Sequence, residues 1–315
     1  MQAQKTAWAV NIFVLGYIVL TIGLLTLSPF DFQAFMPSEF WVVRASVADV
    51  SRNILLFLPF GMMLRHTFKR SHKWVLLCGF GLSLSIECAQ LLIVLRTSNV
   101  IDLMTNSAGA GLGSVLYERL FSQVDTGRGS MGLALALMLV PLCWLNAFRS
   151  IIDPPAAWLA GINAIAGITL LQYSLGAKQA DNRRLKYLPA VVWSAIALIP
   201  LFNTSPQIAP IIFSLTPVAI YLCTRLSRVN AKRCCVGLTV IGAAIVTYRT
   251  VMTGQLMTGQ LMTGPTMTGQ LIGPLSPNSR MTADEVIIQH FEMIMSAAAA
   301  AVVWGWSRLK EAYSA

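Results

Sequence analysis

Ten apolar runs divide this chain, near residues 7–28, 51–65, 74–95, 99–121, 131–148, 156–176, 186–202, 208–224, 235–249 and 287–306. Most approach the roughly 17–25 residues that a helix needs to cross the hydrocarbon core of a bilayer. A segment surrounded by lipid must satisfy its own backbone N–H and C=O groups, and an α-helix does so internally. The expected fold is therefore all-α: a polytopic transmembrane helical bundle of about ten spans. The second run is the weakest of the ten, being short and holding Pro59. Composition agrees, with 56% hydrophobic and 11% charged residues, where soluble domains carry about 25% charged.

The net charge of +10 does not point to nucleic acid, because the basic residues lie in short connections rather than on one patch. Every second connection is basic. Lys5 precedes the first run; Arg65, Lys69, Arg70 and Lys73 follow the second; Arg119 and Arg128 follow the fourth. Lys178, Arg183, Arg184 and Lys186 come next, then Arg225, Arg228, Lys232 and Arg233. By the positive-inside rule this alternation places both termini in the cytoplasm. The first run lacks a small-residue cleavage site and reads as a retained span rather than a signal peptide.

From Met252 to Leu271 a five-residue unit built on Met-Thr-Gly repeats. Its glycines, with Pro265 and Pro274, oppose a stable helix, and the stretch at about 252–274 reads as a flexible external loop. The six cysteines include no Cys-x-x-Cys pair, so neither a metal site nor a disulfide framework is indicated. They read as small buried hydrophobes. No cofactor is implied.

Residues 53–113 carry the chemistry. Ser83, Glu87 and Gln90 share one helix face, with Gly79 one turn earlier. Asn99, Asp102, Asn106, Gly109 and Gly113 step by three and four along the next run. Gly109-x-x-x-Gly113 is a spacing that lets helix backbones approach closely in lipid. A hairpin turning near Thr97 sets Gln90 beside Thr105 or Asn106 and Glu87 beside Ala108 or Gly109, with Glu87 roughly 15 Å below the turn. Asn53 enters from the same side, at the depth of Asp102. Asn53, Glu87, Gln90, Asp102 and Asn106 then form the candidate ligand pocket in the outer half of the bilayer, with Arg52 and Arg96 at its rim. Pro59 bends the second span and Gly61 eases the bend. Interhelical hydrogen bonds contribute about 0.6–2 kcal/mol each, while a carboxylate near mid-bilayer costs at least about 2.5–3.5 kcal/mol. Function is the better reason for keeping Glu87.

These residues resemble the VanZ-like family of bacterial membrane proteins. The shared pattern is Asn-x-x-x-Phe-x-Pro-x-Gly (Asn53, Phe57, Pro59, Gly61), then Glu-x-x-Gln (Glu87, Gln90), then Arg96. Asp-x-x-x-Asn-x-x-Gly (Asp102, Asn106, Gly109) follows, and the Thr26–Phe30 exit of the first span also fits. Asn99 stands where many members carry an acid. The likeness covers about residues 7–121, so 1–121 is expected to form one four-helix unit and 122–315 a set of further spans. It implies a multi-pass protein of the bacterial cytoplasmic membrane with an envelope role, named for glycopeptide resistance, and no particular reaction. Three functions compete. The first is non-enzymatic binding of a membrane lipid, cell-wall precursor or other amphiphile. The second is proton-coupled transport through Glu87. The third is acid–base catalysis by Glu87 and Asp102, for which no nucleophile, metal cluster or phosphate loop is visible; His66 and His72 fall in a basic loop.

Overall fold

The computed structural model describes residues 2–27, 46–93, 98–122, 128–149, 154–175, 188–204, 206–225, 236–245 and 293–302, with a few single positions between them. Among these residues there are ten helices and no strand. They are α1 (Gln2–Leu27), α2 (Val47–Phe68), α3 (His72–Gln90), α4 (Val100–Phe121), α5 (Arg128–Arg149), α6 (Pro154–Leu175), α7 (Leu188–Thr204) and α8 (Ala209–Arg225). α9 (Val236–Ile245) and α10 (Met293–Val302) complete the set. Each lies on one of the ten apolar runs. The repeat at 252–271 and Arg96 fall outside the described residues.

Local chemistry sets the ends of the first helices. Ser46 caps α2 by accepting the Asp49 N–H (3.1 Å) while its hydroxyl donates to the Asp49 carboxylate (2.6 Å). Lys69 closes α2 in the left-handed conformation (φ 52°), its N–H reaching the Arg65 carbonyl. Ser71 caps α3 through the Trp74 N–H, and Asn99 caps α4 through the Ile101 N–H.

Cross-helix pairs give the topology. Asn53 meets Thr105 and His66 meets Tyr117, so α2 and α4 run parallel. Ser83 meets Asn106 and His72 meets Ser114, so α3 runs against them. Asn11 of α1 and Ser130 of α5 meet beside His66, whereas Gln90 reaches Thr26 at the other end. The N-terminal half of α1, the basic α2–α3 turn and the start of α5 therefore lie toward one end of the bundle.

Small residues set how closely these helices approach. Ala110 of α4 is fully buried between Gly61 of α2 and Gly79 of α3. A methyl group on Gly61 would overlap the Ala110 backbone, one on Gly109 would sit 2.5 Å from the Ile54 carbonyl oxygen, and one on Gly113 would overlap that of Leu58. α2 continues as helix through Pro59. The contact with Ala110 requires glycine at position 61.

α5 is the axis of the remainder. Met131 to Trp144 is buried all round, which places it centrally against α1, α6 and α7. Trp193 of α7 donates its indole N–H to the Ala136 carbonyl (3.0 Å), and Trp144 of α5 returns one to Ile196 (2.9 Å). Gly167 of α6 leaves the space that the Trp193 ring fills. One apolar core runs from α1 through α8 and reaches Met295 and Ala299 of α10. The outer faces are also apolar: Trp8, Leu20, Leu77, Met104, Phe213 and Leu222 are all exposed. Burial of the cysteines is corrected in part. Cys143 is buried, but Cys88 and Cys234 are exposed on outward helix faces.

Candidate functional site

Two polar networks lie toward opposite ends of α2, α3 and α4. The first joins α2, α3 and α4 at the end where α3 finishes. Asn53 donates to Thr105 Oγ1 (3.3 Å), and Asn99 donates to Asp102 Oδ1 (3.2 Å). Asn106 donates to Ser83 Oγ (2.9 Å), and its Oδ1, also buried, has no partner. Glu87 is 1% exposed. Its Oε2 accepts the Asn99 backbone N–H (2.8 Å), and its backbone carbonyl accepts the Ser98 hydroxyl (2.7 Å).

Glu87 therefore clasps the start of α4 to the last turn of α3. This corrects the expected register, which had set Glu87 beside Ala108 or Gly109. Gly79 instead opposes Ala110, Ser83 opposes Asn106 and Glu87 opposes Asn99. The cause is the early end of α3 at Gln90, after which residues 91–93 form a turn. Glu87 accordingly lies within one turn of the end of α3, where the expectation set it roughly 15 Å below a turn near Thr97.

Gln90 departs from the cluster, because its amide donates to the Thr26 carbonyl of α1 (3.0 Å) and ties that helix to α3. Of the expected rim residues, Arg52 is exposed and lies 3.7 Å from Asp49. The Ser46 hydroxyl bond, aided by Arg52, holds the Asp49 carboxyl below the usual carboxylate range. Asn53 and Asp102 are half-buried and mark the accessible edge of the network.

The second network is one that sequence reasoning missed. His66 and His72, expected in a loop, are instead helical: His66 ends α2 and His72 begins α3. His66 Nδ1 lies 3.0 Å from the Tyr117 hydroxyl and Nε2 lies 2.8 Å from Ser130 Oγ, which also accepts from Asn11 (3.2 Å). His72 and Arg65 converge on Glu118 at 3.0 Å and 2.6 Å. The signal was present in the i to i+3/i+4 steps of Ser114, Tyr117 and Glu118 on α4. Their partners, being 42 to 53 residues away, could not be paired from spacing alone. His66→Phe should leave the buried Tyr117 hydroxyl without its partner and destabilise the protein by about 1–3 kcal/mol. Thermal unfolding in detergent checks this, with His66→Gln expected to recover part of the loss.

The cleft among Pro59, Met62, Phe121 and Trp193 is apolar and lies between α2, α4, α5 and α7, away from both networks.

Residues 4–122 match the family model described as VanZ/LLP1. That span contains the first network, all of the second except Ser130, and all four close-contact glycines, and it bears out the resemblance carried by Asn53, Pro59, Glu87, Asp102 and Asn106. No curated protein and no solved structure matches the chain. With α1, whose segment Gln4–Leu27 is long and apolar enough to cross a bilayer, the match points to a membrane protein.

Proposed function

We propose, from the VanZ-like character of residues 4–122, that this chain is a multi-pass protein of the bacterial cytoplasmic membrane that binds an envelope amphiphile. About ten spans with both termini cytoplasmic account for the basic connections at one end and for the apolar residues exposed on the outer helix faces. Residues 1–121 form the binding unit in this reading and 122–315 its helical support. The observation that carries the proposal is the meeting of Asn53, Asn99, Asp102 and Thr105 at one end of α2 and α4, with Asp49 and Arg52 beside them. Amides, a carboxylate and a guanidinium at a helix-bundle mouth suit a polar headgroup, precursor or glycopeptide whose apolar part rests in lipid.

The role is binding rather than catalysis, since the described carboxylates of this cluster are engaged in fixing backbone and side chains. Proton-coupled transport is the second reading, favoured by the burial of Glu87 and by the buried, unpartnered Asn106 oxygen on the facing helix.

Cysteine labelling in intact cells should reach position 49 from outside and position 70 only after permeabilisation; the reverse pattern would invert the orientation. Mass spectrometry of the purified protein should then find an envelope lipid or precursor that the Asn53→Ala/Asp102→Ala variant no longer retains. Equal retention by that variant at matched membrane abundance would remove the binding role from this mouth.

A further inference from the structure

The α2–α3 turn gathers cations that no described acid neutralises. Lys69, Arg70 and Lys73 are exposed, and the described ion pairs include none of them. Glu118, the nearby carboxylate, is already shared by Arg65 and His72. From this turn α3 presents an exposed apolar face, its buried residues Val75, Gly79, Ser83 and Glu87 lying on the other side. Leu77 (64% exposed), Phe80 and Leu84 follow Lys73 at helical spacing. Gly81 among them has open space where a side chain would start, which makes a notch in that face. At the turn itself Phe68 and Trp74 meet edge to face, 5.6 Å between ring centres.

Lys73 and Leu84 are separated by roughly 16 Å along the helix. That is about half of a 30 Å hydrocarbon core, the depth of one leaflet. An aromatic pair at one end of this distance, beside lysine and arginine, sits where a bilayer has its polar interface.

We propose that the Lys69–Lys73 turn and the outer face of α3 bind one anionic phospholipid. Its phosphate lies against Lys69, Arg70 and Lys73, and an acyl chain runs along Leu77, the Gly81 notch and Leu84. Charge selects this occupant. A zwitterionic lipid would bring its ammonium to the same cations, a second copy would bring a like-charged turn, and a soluble anion would leave the apolar face uncovered. The inference rests on the membrane reading above but concerns the end of the bundle opposite Asn53 and Asp102.

The test uses the full chain purified in neutral detergent, with phosphatidylglycerol, phosphatidylcholine or inorganic phosphate added. Phosphatidylglycerol should raise the unfolding temperature and be retained on purification, with phosphatidylcholine and inorganic phosphate far less effective. The Lys69→Gln/Arg70→Gln/Lys73→Gln variant changes exposed side chains alone, so its lipid-free unfolding temperature should match the native one. Its affinity for phosphatidylglycerol should fall about 100-fold, as expected for three basic contacts. Gly81→Leu should weaken retention while leaving the charge intact. Unchanged phosphatidylglycerol affinity in the triple variant overturns the proposal, as does equal stabilisation by phosphatidylcholine or by inorganic phosphate. Release of the protein from membranes by alkaline washing would overturn the membrane reading and this inference together. A protein that stays in the membrane without lipid preference overturns only this one.

Discussion

Gly61→Val is expected to eliminate the folded bundle, and Gly113→Val to do nearly the same. At both positions even a β-carbon would overlap the backbone of the facing helix, at Ala110 and Leu58 respectively. Backbone cannot rotate aside as the end of a flexible side chain can, so α2 and α4 would have to separate along their whole contact. Overpacking a core usually costs about 1–3 kcal/mol, and two methyl groups set against a main chain should exceed that range. Separation would also break the Asn53–Thr105 and His66–Tyr117 bonds above and below the contact. The expected result is loss of monodisperse protein from detergent extracts. Gly81→Val serves as the control, since nothing lies within 4 Å of a β-carbon there, and it should be recovered at native yield. Native yield for Gly61→Val would show that α2 and α4 are not held backbone to backbone.

Glu87→Ala should be the most damaging change among the polar residues. It removes the oxygen that accepts the Asn99 N–H at the start of α4, a bond worth about 0.5–1.5 kcal/mol. Glu87→Gln keeps an oxygen that can accept the same N–H, so most of the stability should remain. The pair separates clasp from charge. If Glu87 acts only as a clasp, Glu87→Gln retains folding, bound ligand and phenotype, while Glu87→Ala loses stability. If its charge also serves transport, Glu87→Gln folds normally and loses pH-dependent uptake. Unfolding curves and uptake measured at matched membrane abundance distinguish the two. A Glu87→Ala protein as stable as the native one would refute the clasp.

Much of the candidate site was legible because its residues are costly where they stand. A carboxylate and amides inside apolar runs draw attention without any knowledge of their partners, and so Asn53, Glu87, Asp102 and Asn106 stand out as candidates. Pairing them was less secure. Counting outward from an assumed turn at Thr97 misplaced Glu87, because α3 ends at Gln90 and the count took the helix to continue. Gln90 shares a face with Ser83 and Glu87 yet serves α1, since its longer side chain reaches the Thr26 carbonyl. His66 and His72 looked like solvated residues in a basic loop; only the approach of α4 and α5 supplies the acceptors and donors that hold them.

The sequence by itself determined the helices: ten apolar runs and their polar interruptions. These are local properties, set by hydropathy over about 20 residues. Tertiary structure alone decided which groups meet. Whether Gly61 relieves a bend or admits Ala110, and whether Glu87 lines a pocket or clasps Asn99, depends on the approach and register of α2, α3 and α4. That register follows from where backbones can touch, at Gly61, Gly79, Gly109 and Gly113. Such contacts join positions about 30 to 55 residues apart, and no local pattern records them.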